Sequence, residues 1–326
     1  MSPKTRTAIL LSISVLPAWL GASAVVSSGI LWVAPANLES RDLLHGRGGK
    51  AHQPPAAQFT FVKEEDEGTN PKFVITDVKG VKWKVKLGQE AQPEVVASRL
   101  VWAAGYYVHE DYYLPELRVA NLPSNIHRGK RWISGSAMRN ARLSRVLEDE
   151  KKVGTWEWRH SPFAGSREFN GLRVLMALLN NWDLKNSNTA IYEDGNGRRF
   201  YAVSDLGGTF GAPGVTFSKS EMKGNLEAYR KSKFIRSTTP EFVNFSAPAR
   251  PQISGAVSPR NFVDRIQMQW IAKRIPREHA RWMGQLLGRL SGSQIRDAFR
   301  AAHYTPEEVE GFALVLERRI AELKAL

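Results

Sequence analysis

The sequence predicts an α+β fold in two lobes, a small β-rich one first and a mainly helical one after it. Three observations carry that expectation. Short strand-like segments crowd into residues 59–120. One strongly periodic helix, Glu168 to Asn181, stands in the middle of the chain. The last stretch is helical, with two capping signals that mark helix starts.

The chain opens with Lys4 and Arg6 before an uncharged run from Thr7 to Asn37. Ala8 to Leu20 has the length of a signal-peptide apolar region, and Ala22-Ser23-Ala24 is an A-x-A cleavage pattern. Apolar character continues through Val25, Val26, Ile30, Leu31, Trp32 and Val33, so an uncleaved anchor over 1–33 is the alternative. Either reading places the rest of the chain outside the cytoplasm. Residues 34–57, rich in Pro, Gly and Ala, read as a linker. No second long apolar run is present.

The first lobe is expected over 58–120. Phe59 to Val62, Lys72 to Ile75 and Val81 to Leu87 read as strands, the last two joined by the turn Asp77-Val78-Lys79-Gly80. In the third strand Val81, Trp83, Val85 and Leu87 alternate with Lys82, Lys84 and Lys86, so one face is core and the other carries lysines. Pro93 opens a helix to about Ala104, with Val96, Leu100 and Ala103 on one stripe, and Gly105 stops it. Tyr106 to Ala120 suggests two more strands. The second lobe is expected over 121–326, with an irregular basic insertion near 121–167. In the middle helix Leu172, Leu175, Met176 and Leu179 form the core stripe. A hairpin comes next, Thr189 to Tyr192 and Phe200 to Val203 around Glu193–Gly197; residues 215–258 read as loop; and Ser291 with Gln294, then Thr305 with Glu308, start the last two helices.

Composition narrows the function classes. Lys plus Arg number 46 against 32 Asp plus Glu, a formal charge of +14, which favours anionic partners. There is no cysteine, so thiol nucleophiles, zinc knuckles and iron–sulfur ligation are excluded. G-x-S-x-G, H-E-x-x-H and Walker A patterns are absent, and the seven histidines show no metal-ligand spacing. Basic-aromatic runs such as Lys130-Arg131-Trp132 could meet nucleic acid, but export argues against that partner.

One ordered set of residues carries chemistry. Asp183-Leu184-Lys185-Asn186-Ser187-Asn188 comes after the middle helix; the hairpin is next; then Asp205-Leu206-Gly207. Upstream, Lys86 ends a strand and Glu94 lies near the start of a helix. Phosphoryl transfer needs such parts: a lysine on the phosphates, a carboxylate to fix it, an Asp at the attacking hydroxyl, and oxygen ligands for a divalent metal. Alone, Asp183 reads as a turn residue, Asp205-Leu206-Gly207 as a strand-ending turn, and Lys86 as part of a solvated lysine face with Lys84 as its substitute. Their order is what joins them.

On these residues the sequence resembles the protein-kinase-like superfamily, over roughly Phe59 to Gly211. Asp183 to Asn188 matches the D-x-K-x-x-N catalytic loop, Asp205-Leu206-Gly207 resembles the D-F-G metal motif, and Val85-Lys86 resembles the end of the V-A-I-K strand. The resemblance implies a bilobal kinase-like fold, ATP and Mg²⁺ (or Mn²⁺) as cofactors, Asp183 as base and Lys185 as charge stabiliser. It further implies Asn188 and Asp205 as metal ligands, and Lys86 with Glu94 as the phosphate clamp, Glu90 being the substitute for Glu94. The departures point to an atypical bacterial branch. Asn181-Trp182 stands where ordinary kinases have His-Arg, no G-x-G-x-x-G or A-P-E sequence occurs, and Lys86 lies only eight residues before Glu94. The implied function is an exported or membrane-anchored kinase acting on a hydroxyl acceptor that the sequence does not name; the alternative is a non-catalytic pseudokinase serving as an envelope interaction module.

The charge and apolar pattern of the first residues sets a topology expectation. Lys4 and Arg6 favour retention of the extreme N-terminus inside, and the short apolar run ending in A-x-A favours export of the downstream chain, although Arg41, Arg47 and Lys50 oppose it. An alkaline-phosphatase fusion after Leu326 should therefore be active and a cytoplasmic fluorescent fusion dark; the reverse pattern would return the domain to the cytoplasm.

Overall fold

Alternation of apolar and polar residues between 59 and 87 builds three antiparallel strands, β1 (Phe59–Glu65), β2 (Lys72–Thr76) and β3 (Lys82–Leu87). The computed structural model describes residues 29–66, 70–181, 183–212, 223–247 and 269–326. In β3, Trp83, Val85 and Leu87 are buried while Lys82 and Lys84 are exposed. Gly88, at φ 114°, turns the chain into helix α1 (Ala91–Ala103). Then come β4 (Asp111–Ala120), β5 (Ile133–Ser134) and β6 (Ala137–Arg145). The sheet order is β3-β2-β1-β4-β6-β5, and β3 also pairs with β6, so five strands close into a ring. Phe59, Phe73, Trp83, Val85, Val119 and Leu143 fill its core, and α1 packs across β4 and β6.

The rest of the described chain is helix-dominated. Strands β7 (Lys151–Gly154), β8 (Thr189–Glu193) and β9 (Arg199–Val203) form one small sheet, with helix α2 (Arg167–Leu178) between β7 and β8 in sequence. Helix α3 (Leu226–Lys231) leads to a second sheet of β10 (Ile235–Thr238), β11 (Phe242–Phe245) and β12 (Ile275–Pro276). Helices α4 (Arg277–Leu287), α5 (Gly292–Arg300) and α6 (Pro306–Lys324) end the chain. Ser291 with Gln294, and Thr305 with Glu308, form both halves of their capping boxes, as the sequence predicts. The architecture is α+β.

Several boundaries differ from expectation, each for a physical reason. Residues 121–145 are not part of a later insertion, because β6 pairs with β3 and β4 inside the first sheet. Three arginines, and an Asn140 at φ 54° that interrupts the alternation, hide this strand in the sequence. Trp156 and Trp158 are buried against Phe169 of α2. Residues 34–57 are not a free linker. Leu38 and Leu43 are buried, and Gln294 donates from Nε2 to the carbonyls of Leu38 and Arg41, each at 2.9 Å. Residues 30–33 likewise belong to the domain rather than to a leader or anchor reaching Val33: Ile30 bridges Phe200, Trp32 bridges Tyr106, and Leu31 is buried. The expected signal segment up to residue 28 lies outside the described residues. Among the described residues no helix is long and apolar enough to cross a membrane. Tyr106 to Ala120 holds one strand rather than two, and the expected loop at 215–258 contains α3, β10 and β11 in its described part.

A buried cation ties the helical part together. Arg319 of α6 is fully buried, stacks over Tyr229 at 4.0 Å, and donates to the carbonyls of Leu178, Tyr229 and Ser232 at 3.0–3.1 Å. Those carbonyls end α2 and α3, so one guanidinium satisfies two helix C-termini at once. Arg319→Ala removes the guanidinium from all three carbonyls, leaving Leu178 only the Tyr229 hydroxyl and Tyr229 only the Ser232 hydroxyl and N–H, and should cost about 3 kcal/mol or more in urea unfolding; a loss under about 1 kcal/mol would show that these remaining donors suffice.

Candidate active site

The register of β3 on β6 sets Lys86 directly opposite Arg142. Both lie on the outer face of the sheet, where α1 covers them. Lys86 is 2% exposed, unlike Lys82 and Lys84 on the same strand face. Burying two facing cations requires an anion between them, and Glu94 of α1 supplies it. Its Oε2 accepts from Lys86 Nζ at 2.9 Å and its Oε1 from Arg142 Nη2 at 3.1 Å. Arg142 also donates to Ser144 Oγ at 2.6 Å and lies 3.6 Å from Asp111, to which Ser144 donates.

Two more carboxylates reach the same ammonium. Lys86 Nζ lies 2.5 Å from Glu90 Oε2 and 3.2 Å from Asp205 Oδ1. Glu90 is also held by Asn70 Nδ2 at 2.5 Å and by Lys223. Both Glu94, from within α1, and Glu90, from its N-cap, therefore meet the lysine. Burial opposes the Lys86 charge, but Glu94, Asp205 and Glu90 outweigh it and raise its pKa above the ordinary lysine value. Burial also opposes ionisation of Asp205; Lys86 and the Gly207 N–H prevail and bring its pKa to about 2. For Glu90 the lysines Lys86 and Lys223 overcome burial and lower the pKa. Glu94 is pushed up by burial, against Arg142 and Lys86, each of which holds one of its oxygens.

The catalytic-loop residues sit beside this group. Two residues past the end of α2, Asn180 turns the chain with a φ of 55°, and its Nδ2 donates to the Gly211 carbonyl at 2.7 Å. Asn181 is fully buried: its Oδ1 accepts from the Asp183 N–H and its Nδ2 donates to the Asp205 carbonyl, both at 3.3 Å. One amide thus holds the two sequence motifs together. Asp183 keeps an exposed carboxylate with Lys185 Nζ at 3.0 Å. Asn188 donates to the Asp183 carbonyl at 2.6 Å. The β8–β9 hairpin pairs Thr189 with Val203, and the Ser204 N–H donates to the Asn188 carbonyl at 2.8 Å, so Asn188 and Asp205 emerge side by side from its open end.

All six residues singled out in the sequence therefore belong to one connected region. Arg142, Asn181, Lys223 and Asp111 were not foreseen. Asn181 had a faint signal in its place two residues before Asp183; Arg142 and Lys223 had none, since a basic residue in a basic chain does not stand out. Trp182 lies outside the described residues. Oxygens of Glu90, Glu94 and Asp205 come within 4.8 Å of one another, but the Lys86 ammonium occupies their midst, which makes this an ammonium cradle.

No family model matches the chain, and no curated protein matches it. Among solved structures it is similar to the Helicobacter pylori proinflammatory kinase CtkA, at 13% identity and a TM-score of 0.38, over 82% of this chain and 99% of that one.

The two glycines of the loop differ in what surrounds them. A Cβ on Gly207 would fall 2.7 Å from Glu90 Cβ and 2.8 Å from its Oε2, whereas one on Gly208 would meet Asp183 Cβ at 3.5 Å, an ordinary contact. Gly207→Ala should push Glu90 off Lys86 and destabilise by about 1–3 kcal/mol, while Gly208→Ala should stay within about 0.5 kcal/mol of wild type in thermal unfolding. Equal effects would mean that Glu90 is free to move.

Proposed function

We propose that the chain is an atypical kinase-like phosphotransferase of bilobal build, using ATP with Mg²⁺ or Mn²⁺ to phosphorylate a hydroxyl acceptor. The observation that carries this reading is the contact chain Glu94–Lys86–Asp205–Asn181–Asp183, which joins a strand lysine, a helix carboxylate and two loop aspartates. In this reading Lys86, fixed by Glu94, holds nucleotide phosphates after exchanging its Asp205 contact for them. Asp183 receives the proton of the acceptor hydroxyl as its oxygen attacks the γ-phosphorus. The bond from that phosphorus to the β–γ bridging oxygen breaks, and ADP leaves with the electron pair. Lys185, beside Asp183, neutralises charge on the phosphoryl group in transit.

A divalent metal fits the donor set on Asn188 and Asp205. Both offer hard oxygens at the open end of one hairpin, and among the described residues Asn188 Oδ1 and Asp205 Oδ2 accept no hydrogen bond. Around Lys86, the cations Lys86, Arg142 and Lys223 face the carboxylates Glu90, Glu94, Asp205 and Asp111, one negative charge in excess. Held by Asn188 and Asp205, the metal would supply positive charge to offset that of the nucleotide phosphates. The N-terminal pattern adds the proposal that this chemistry operates outside the cytoplasm.

The full chain should transfer labelled phosphate from the γ-position of ATP, to itself or to a generic acceptor, with Mg²⁺ or Mn²⁺ present. Asp183→Ala and Asp205→Ala should each lower the rate at least about 100-fold. Wild type and variants behaving alike would sink the assignment; nucleotide binding without any turnover would favour the non-catalytic interaction module; and mass spectrometry showing an added nucleotide would replace phosphoryl by nucleotidyl transfer.

A further inference from the structure

A second charged group lies on α1, away from the site just described. Arg99 is five residues beyond Glu94, about 7.5 Å along the helix and well round its circumference. It is 2% exposed. Among the described residues it donates no hydrogen bond and joins no ion pair; its guanidinium sits 5.4 Å from the Tyr112 ring, and its Nε is buried without a partner. An unpaired buried guanidinium is costly, and interiors normally answer such a charge with an anion.

Asp111 and Asp42 favour its charge from a distance, but no acid among the described residues pairs with it. Asp42 is bound to His45 at 2.7 Å, Asp111 is held by Ser144 and Arg142, Glu110 pairs with His52 at 2.8 Å, and Asp297 pairs with Arg300 at 2.8 Å. What Arg99 does face is a cavity of about 250 Å³ between the 44–54 segment, β4 and the end of α5. Arg300, His45 and His303 line it with Arg99, and no carboxylate does. The covering loop is shaped to the guanidinium: Gly46, at φ 73°, approaches so closely that a Cβ there would lie 2.1 Å from Arg99 Nη1. Burial lowers the Arg99 pKa, and Asp111, Tyr112 and Asp42 offset it only in part.

We infer that this cavity is a binding site for a small phosphate-type oxyanion, held by Arg99 at its base and by Arg300 with the two histidines at its mouth. Guanidinium groups suit such anions because their N–H forks match paired oxygens. The volume lies below the 300–1,000 Å³ common for drug-sized ligands, which selects a small anion over a nucleotide. The site is independent of the phosphotransferase reading and stands or falls without it.

Isothermal titration of the full chain with inorganic phosphate, at ionic strength held constant with sodium chloride, should show saturable binding. Arg99→Gln should weaken it at least tenfold, and Arg300→Gln severalfold. Hydrogen exchange should show phosphate-dependent protection in residues 44–54 and 99–103. Absence of saturable binding to wild type, binding unchanged in Arg99→Gln, or protection confined to residues 183–208 would each overturn the inference. Should Arg99→Gln lose its near-ultraviolet circular dichroism, the half-exposed Arg300 decides, and unchanged binding in Arg300→Gln then counts against the site.

Discussion

Two cations face each other across the β3–β6 ladder, and much of the molecule is arranged to make that tolerable. Like charges at directly opposed positions repel, and covering them with a helix would deepen the penalty. Glu94 removes it by giving one oxygen to Lys86 and the other to Arg142. The position of α1 is therefore fixed twice: by apolar residues such as Val95 and Leu100, and by a carboxylate that fits only where both cations can reach it. A pair of apolar residues in place of this network would hold the layers together as well or better. Its worth lies in presenting one ammonium, already oriented and charged, at the edge of a loop cluster.

A second constraint delivers the loops to that ammonium. The β8–β9 hairpin sets the residues before and after it side by side, and Asn181 ties the start of the 183–188 loop to the backbone of Asp205. Gly207 is small because Glu90 fills the space its side chain would need. Each of these contacts is local, yet together they transmit the position of α1 to Asp183: a shift of α1 moves Glu90 and Glu94, hence Lys86, hence Asp205, hence the amide that Asp183 leans on. If the proposed phosphotransferase reading holds, activity would be sensitive to residues that touch no substrate.

How far the sequence could be read depends on the same physics. Local signals were legible: the alternation of β3, the stripe of α2, the hairpin, and both capping boxes arise from neighbours a few residues apart, and all appear where expected. The motif residues were legible because their spacing is fixed by one loop and one hairpin. Long-range pairing was not. Nothing near Arg142 announces that β6 returns to close the ring through β3, and the left-handed Asn140 breaks the only periodicity that would have flagged a strand. Lys86 looked like Lys82 and Lys84 because all three share a face, and only the docking of α1 separates them. The 34–57 segment looked loose because its order comes from partners about 250 residues away, such as Gln294.

The basic composition takes on a definite meaning once burial is known. Among the described residues the buried ionisable side chains include the basic Lys86, Arg99, Arg173 and Arg319 and the acidic Asp77, Glu90, Glu94, Glu110 and Asp111. The described interior is thus close to neutral, and among the described residues the basic excess lies toward the outside rather than in the core. A positive exterior draws anions by long-range attraction that weakens as salt rises, whereas contacts inside the Lys86 cradle are too short and too dry to be screened in that way. For the anionic ligands proposed above, capture and fixation would therefore be separable: the surface excess would govern how fast such a ligand arrives, and the few buried cations with their carboxylate partners would govern where its charge comes to rest.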